Sequence, residues 1–214
     1  MKVISTNLGK LTTFQWKGKE KQTGIYKNPV EHAIYLRENG IDEDVVVERK
    51  VHGGQTKACY LYSINHYSFW QKIYPKLDWQ LGMFGENLTV EDLDESKLYI
   101  GDIYQVGQAE IQITEPRLPC YKFGHKMGDQ GIIKKFIDTT FCGSYVAVLE
   151  EGDVENGDEF ILLEENPNKL SIAEVFVMIY ATSLNDKLRK KLQKETALPE
   201  KLKSQLMKKY GIKG

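Results

Sequence analysis

The residues best suited to chemistry in this sequence lie in the run Glu115-Pro116-Arg117-Leu118-Pro119-Cys120-Tyr121-Lys122. Its two prolines fix a rigid connection as the chain leaves a predicted strand, and the connection ends on a cysteine flanked by two cations. Positive charge from Arg117 and Lys122 would favour the thiolate, the form that attacks electrophiles or binds a soft metal. Free cysteine is also among the most buried residue types, so local sequence leaves an inert, packed Cys120 equally open. The three cysteines, Cys59, Cys120 and Cys142, are odd in number and lack CxxC spacing, which argues against a disulfide framework and a zinc ribbon. A special cysteine must act alone.

Two further clusters offer binding groups. In Val51-His52-Gly53-Gly54-Gln55-Thr56-Lys57 the adjacent glycines let the backbone approach a ligand, while His52, Thr56 and Lys57 present donors suited to an anion. The same run can also be a plain turn. In Gly82-Met83-Phe84-Gly85-Glu86-Asn87-Leu88 a glycine-framed turn places Glu86 and Asn87 at the mouth of a strand. The Asn87 amide both donates and accepts, as the edge of a heterocycle requires.

The elements that must position these groups are mostly short strands, separated by turns as far as about Leu163. Runs rich in Val, Ile, Thr and Tyr predict strands at 45–48, 58–62, 87–90, 103–106, 109–114, 144–149 and 159–163. Gly107 parts two of them, which predicts a hairpin over 103–114. Helices are expected at 64–74, with Phe69, Trp70 and Ile73 as its core face, and at 131–137. Beyond Pro167 the pattern changes. Ser171 and Glu174 form a capping box, Leu184, Leu188 and Leu192 recur every fourth residue, and Leu202, Leu206 and Tyr210 mark a last helix stopped by Gly211. The division expected is a β domain over 1–166 and a three-helix extension over 167–214, whose role is packing or subunit contact.

Composition narrows the partners. With 29 Lys and Arg against 30 Asp and Glu in 214 residues, there is no overall field to draw the chain to nucleic acid or an anionic membrane. No stretch reaches the roughly 18 apolar residues of a membrane span, and residues 1–10 lack the layout of a signal peptide, so a cytoplasmic location is expected. The lysines of the tail alternate with leucines as on a solvated amphipathic helix, which favours no stable nucleic-acid complex.

Taken in order, His52-Gly53-Gly54, Phe84-Gly85-Glu86-Asn87-Leu88, Ile100-Gly101-Asp102 and Pro116-Arg117-Leu118-Pro119-Cys120 resemble the YiiM-like branch of the MOSC domain family. The resemblance runs from Thr23-Gly24-Ile25-Tyr26-Lys27 through Val148-Leu149-Glu150-Glu151-Gly152 and includes the helical tail. It implies a mainly β fold, a distorted β-barrel with short helices and a C-terminal three-helix extension, whose cleft holds a molybdenum-pterin cofactor. By the same resemblance Cys120 is the catalytic residue and metal ligand. Arg117, Lys57 and His52 would hold the pterin phosphate or edge, and Asn87 would hydrogen-bond the pterin. Near 139–145 the family pattern has a glycine and a basic residue that Thr139-Thr140-Phe141-Cys142-Gly143-Ser144-Tyr145 lacks, so a cationic contact is missing there.

Family members are associated with reduction of N-hydroxylated compounds, including hydroxylaminopurines, to amines. The implied partners are such a small substrate and a separate electron-donating reductase, since no dinucleotide fingerprint follows a strand and no cysteine set could hold an iron–sulfur cluster. A homodimer contact is an option for the tail. A second reading makes the chain a cofactor-binding or sulfur-carrier module in which Cys120 bears a persulfide without turnover.

Overall fold

The computed structural model describes residues 1–48 and 53–212. In chain order the strands are β1 (Lys2–Gly9), β2 (Thr12–Trp16), β3 (Lys19–Thr23), β4 (Lys27–Val30), β5 (Ile34–Arg37), β6 (Gly40–Ile41), β7 (Cys59–Ser63), β8 (Leu88–Glu91), β9 (Ile103–Val106), β10 (Ala109–Pro116), β11 (Ser144–Glu150), β12 (Gly152–Val154) and β13 (Phe160–Glu164). Eight of them form one sheet in the order β13-β9-β10-β11-β7-β8-β1-β4. It is mixed, because β7 and β8 run parallel while its other pairs are antiparallel. β7 is buried at every position, as a strand covered on both faces must be. The ends of the sheet curl toward each other: Lys2 bridges Glu159, and Val3 N donates to Asp158 O at 2.8 Å. No ladder closes that seam among the described residues, so the expected distorted barrel is a strongly curled sheet and not a closed one.

The short helices are α1 (Tyr67–Ile73), α2 (Tyr121–Lys126) and α3 (Ile132–Ile137), and the tail adds α4 (Ile172–Tyr180), α5 (Asp186–Lys194) and α6 (Glu200–Lys209). The mainly β architecture, the 103–114 hairpin and the three tail helices match the expectations, and Gly107 takes φ +55° in the hairpin turn. The Ser171 capping box is present, with Glu174 N donating to Ser171 Oγ at 3.1 Å and Ser171 N to Glu174 Oε2 at 3.0 Å. Leu192, Leu198, Leu206 and Tyr210 are buried, as the leucine spacing predicts.

Three expectations need correction. Residues 45–48 have strand-like composition but form no strand; Val45 N donates to Gly9 O at 3.0 Å, and the segment lies against Gly24 along the mouth of a cleft. The helix expected at 64–74 begins as a 3-10 turn, and its buried face is Tyr67 and Trp70, whereas Phe69 and Ile73 are 39% and 37% exposed. Tyr67 and Trp70, three apart, meet the rings of Phe84 and Phe136, and this packing decides which stripe faces inward. Helix α2, directly after Cys120, has no counterpart among the expected elements.

The core carries an aromatic chain, Trp70–Phe84–Phe123–Phe136–Phe176, with successive ring centroids 5.4 to 6.2 Å apart. Through Phe176, helix α4 belongs to the same core as the sheet. The Ile100-Gly101-Asp102 motif anchors the tail. Asp102 Oδ1 accepts from Asn166 N at 2.8 Å, and buried Glu195 accepts from Asn166 Nδ2, Asn168 Nδ2 and Ala197 N. Gly101, at φ +85°, leaves no room for a Cβ: it would lie 2.5 Å from Asn166 Nδ2 and 2.8 Å from Ala197 Cβ.

Candidate functional site

β10 and the turn after it deliver Arg117, Leu118 and Cys120 to a cleft of about 710 Å³, part of it open to solvent. Thr23, Gly24, Ile25, Lys27, Asp44 to Glu48, Lys57, Ala58, Tyr60, Gly85, Asn87, Lys122 and Tyr145 complete its lining. The four described residues that sequence reasoning singles out, Cys120, Arg117, Lys57 and Asn87, therefore meet at one place, though they come from three distant segments. His52 lies outside the described residues.

The floor is set by strand register. Tyr145 on β11 pairs with Glu115 on β10 and with Tyr60 on β7, so the three side chains share one face of the sheet. A cation sits over each tyrosine: Lys57 Nζ lies 5.5 Å from the Tyr145 ring centre, and the Arg117 guanidinium 5.2 Å from that of Tyr60. Burial pushes both phenols above their ordinary range and Arg117 pulls them back, so they stay neutral.

Arg117 is 5% exposed and also lies 4.9 Å from the Phe123 ring centre and 5.9 Å from that of Phe136. Its Nη1 is buried without a hydrogen-bond partner, and no carboxylate among the described residues pairs with it. The other cations of the cleft are matched: Lys27 by Asp44, Lys122 by Glu48 at 3.0 Å, and Lys57 by Glu115 at 3.4 Å. Among the described residues, Arg117 is thus the buried cation of the cleft that no carboxylate matches, set against rings and near the Cys120 sulfur, whose negative form would stabilise it.

Cys120 itself caps α2 in an extended conformation and is half-buried. The other two thiols are shut in. Burial raises Cys59 to about 12 and Cys142 well above the ordinary thiol range, and neither lines the cleft. In the 139–145 segment, where the cationic contact is lacking, Phe141 instead stacks on His66 at 3.9 Å, and His66 pairs with Glu95 at 2.9 Å.

Asn87 lines the cleft but its amide is engaged: Oδ1 accepts from Tyr60 N at 3.2 Å, while Nδ2 donates to Asp44 Oδ2 at 3.1 Å and Asn7 O at 3.3 Å. Glu86, its neighbour in the motif, is fully buried and ties its own loop by accepting from Gly82 N, Phe84 N, Thr89 Oγ1 and Tyr67 OH. Gly85 must be glycine because a Cβ there would press Ile25 Cγ1 at 2.9 Å. Sequence reasoning missed Tyr60, Tyr145, Lys27 and Asp44. The tyrosines carried a signal only in hindsight of register, and the Lys27–Asp44 pair carried none.

A profile of the MOSC domain matches residues 48–161. The uncharacterised protein YflK of Bacillus subtilis (strain 168) is 34% identical over 207 residues, 97% of this chain and 93% of that protein. The crystal structure of YiiM from Geobacillus stearothermophilus superposes with a TM-score of 0.80 at 29% identity, covering 97% of this chain and 98% of the other. A protein named reductase from Gibberella moniliformis is 30% identical over 78% of this chain, which spans 30% of that longer protein. The chain belongs to the MOSC domain family, and its helical tail falls within the region shared with the YiiM structure.

Proposed function

We propose that this chain binds a molybdenum-pterin cofactor through Cys120 and reduces N-hydroxylated compounds, such as hydroxylaminopurines, to amines. The observation that supports the reading is a half-buried, cleft-lining cysteine beside a buried cation that no carboxylate among the described residues matches, a donor set that suits a soft metal on an anionic ligand. Among the described residues no cluster of three or more His, Cys, Asp or Glu stands ready to hold a metal. A metal at Cys120 therefore has to bring most of its ligands with it. When bound, the cofactor would supply two-electron oxygen-atom chemistry.

The chain's own part is binding and orientation. Arg117 would meet the anionic portion, with Lys57 bordering it and His52 a further contact proposed from sequence. Asn87 would meet the pterin edge only by sharing an amide that now holds Asp44 and β7. Tyr60, Tyr145 and the wall of Val45, Val46 and Val47 would exclude water around the reacting bond. The relative named reductase supports the direction of the reaction, and a separate reductase would provide the electrons. No helix among the described residues is long and apolar enough to cross a membrane, and the cleft of about 710 Å³ is where a small substrate would enter. The division at residue 167 belongs to the same proposal: the tail lines none of the cleft, and its work would be packing or a dimer contact.

The test is metal analysis and turnover on protein made in a host that synthesises the cofactor, with a reduced viologen as donor. Wild type should carry molybdenum and convert a hydroxylaminopurine to the amine, whereas Cys120→Ser should lose both while Cys59→Ala and Cys142→Ala keep them. Wild-type molybdenum content in Cys120→Ser would overturn the ligand assignment. Loaded wild type that leaves every N-hydroxylated compound untouched would favour the sulfur-carrier reading.

A further inference from the structure

Two large apolar side chains of the cleft stand open to solvent, outside the packing of the core. Leu118 is 41% exposed and Val47 38%, and both line the cleft that holds Cys120 and Arg117. Single exposed apolar residues are ordinary on a protein surface, but these two come from separate segments to one opening, each on constrained backbone. Leu118 precedes Pro119, whose ring confines the residue before it to extended conformations. Val47 belongs to the wall lying against Gly24, where a Cβ would strike Val45 O. Buried Lys122, two residues after Cys120, ties the walls together: its Nζ lies 3.0 Å from Glu48 Oε1 and donates to Gln22 O at 3.1 Å. Arg117, Lys27 and Asn87 are buried, so the cleft is polar at its base and apolar along this part of its rim. Binding sites have that layout, with a few placed polar groups and an apolar lining that takes the body of the ligand.

Resting on the reductase reading, we propose that Leu118 and Val47 receive the ring of an aryl hydroxylamine, so that the cleft selects aryl over small alkyl N-hydroxylated compounds. The N–OH end points inward toward Cys120. The ring covers the two side chains and removes their apolar surface, and its own, from water. A substrate carrying only a methyl group on nitrogen has little apolar surface to place there. Neither side chain hydrogen-bonds, so the selection is for apolar area and not for a pattern of ring nitrogens. Leu118 and Val47 are specificity residues and take no part in the chemical step.

Two measurements on molybdenum-loaded protein test this. The first is calorimetric titration with aniline, the amine that phenylhydroxylamine yields. Leu118→Ala should weaken its binding about tenfold, the scale of one or two methylene groups returned to water, and Val47→Ala roughly fourfold. Leu118→Met, which keeps the apolar volume, should bind as wild type does. Absent or unchanged aniline binding overturns the proposal. The second is turnover with reduced viologen, comparing phenylhydroxylamine with N-methylhydroxylamine. Wild type should favour the aryl compound in kcat/KM, and both alanine variants should lose most of that preference. If wild type turns over and the preference is the same in the variants, the ring assignment is wrong and the reductase reading stands. If loaded wild type reduces neither compound yet binds aniline in a manner that depends on Leu118 and Val47, the reductase reading falls and the ring site stands. Reduced molybdenum content in the alanine variants would assign the rim to the cofactor and overturn the proposal.

Discussion

Replacing Arg117 by methionine should move stability and cofactor affinity independently, because the guanidinium is buried but poorly paired with the protein's own groups. Two terms oppose each other in the cofactor-free protein. The variant loses three cation–ring contacts, at 4.9, 5.2 and 5.9 Å, worth about 0.5 to 2 kcal/mol each. It also escapes the cost of burying a charge that no carboxylate matches, several kcal/mol, and of leaving Nη1 without a partner, about 1 to 3 kcal/mol. Methionine fills much of the same volume against Phe123 and Phe136, so the net change in unfolding free energy should stay within about 2 kcal/mol. Binding has no such compensation. Loss of a charge-assisted hydrogen bond to an anion costs about 1.5 to 3 kcal/mol, or roughly ten- to a hundredfold in affinity. Urea denaturation of cofactor-free protein and a cofactor titration separate the two quantities. A variant destabilised by more than about 4 kcal/mol that still binds cofactor with wild-type affinity would show that Arg117 is a packing residue, and the argument from its orphaned nitrogen would fail.

Other outcomes follow from the same structure. Gly101→Ala forces a left-handed conformation, costing about 1 to 2 kcal/mol, and drives a Cβ into Asn166 and Ala197; thermal unfolding should fall and proteolysis between α5 and α6 should accelerate, and an unchanged melt would show the tail is not anchored there. Burial lowers Lys126 to about 8 from 10.5, so the unfolded chain binds more protons than the folded one between those values. Its contribution is therefore lost as pH falls through 8 and regained above 10.5: wild type should gain stability relative to Lys126→Met as pH rises across that window, and parallel curves would refute the shift. Ending the chain after Asn168 removes Ile172, Val175, Phe176 and Met178 from the core, four side chains worth about 1.5 to 3 kcal/mol each, or roughly 6 to 12 kcal/mol, comparable to a whole domain's stability. That chain should lose its cooperative unfolding transition by circular dichroism, whereas one ending after Ser183 should keep it.

Much of this was legible because it depends on neighbours in sequence. Alternating apolar residues around Gly107 sufficed for the β9–β10 hairpin, and the Ser171 capping box and leucine spacing sufficed for the tail helices, since each is stabilised by contacts a few residues away. The ordered glycine, proline and cysteine motifs named the family for a related reason: Gly85 and Gly101 sit at positive φ where a Cβ would crowd Ile25, Asn166 or Ala197, so the local geometry favours glycine at those places in the motifs. Tertiary structure decided the rest. Residues 45–48 look like a strand but lie against Gly24 along the cleft, with Val45 N bonded to Gly9 O, and Phe69 faces solvent because Tyr67 and Trp70 meet the aromatic core first. Asn87 reads as a ligand group in sequence, yet its amide is held by Tyr60, Asp44 and Asn7, residues up to 80 positions away. The charge balance of the cleft is likewise a sum over distant segments. Among the described residues Lys27, Lys57 and Lys122 each find a carboxylate while Arg117 finds none, and no local pattern records which cation the fold leaves unmatched.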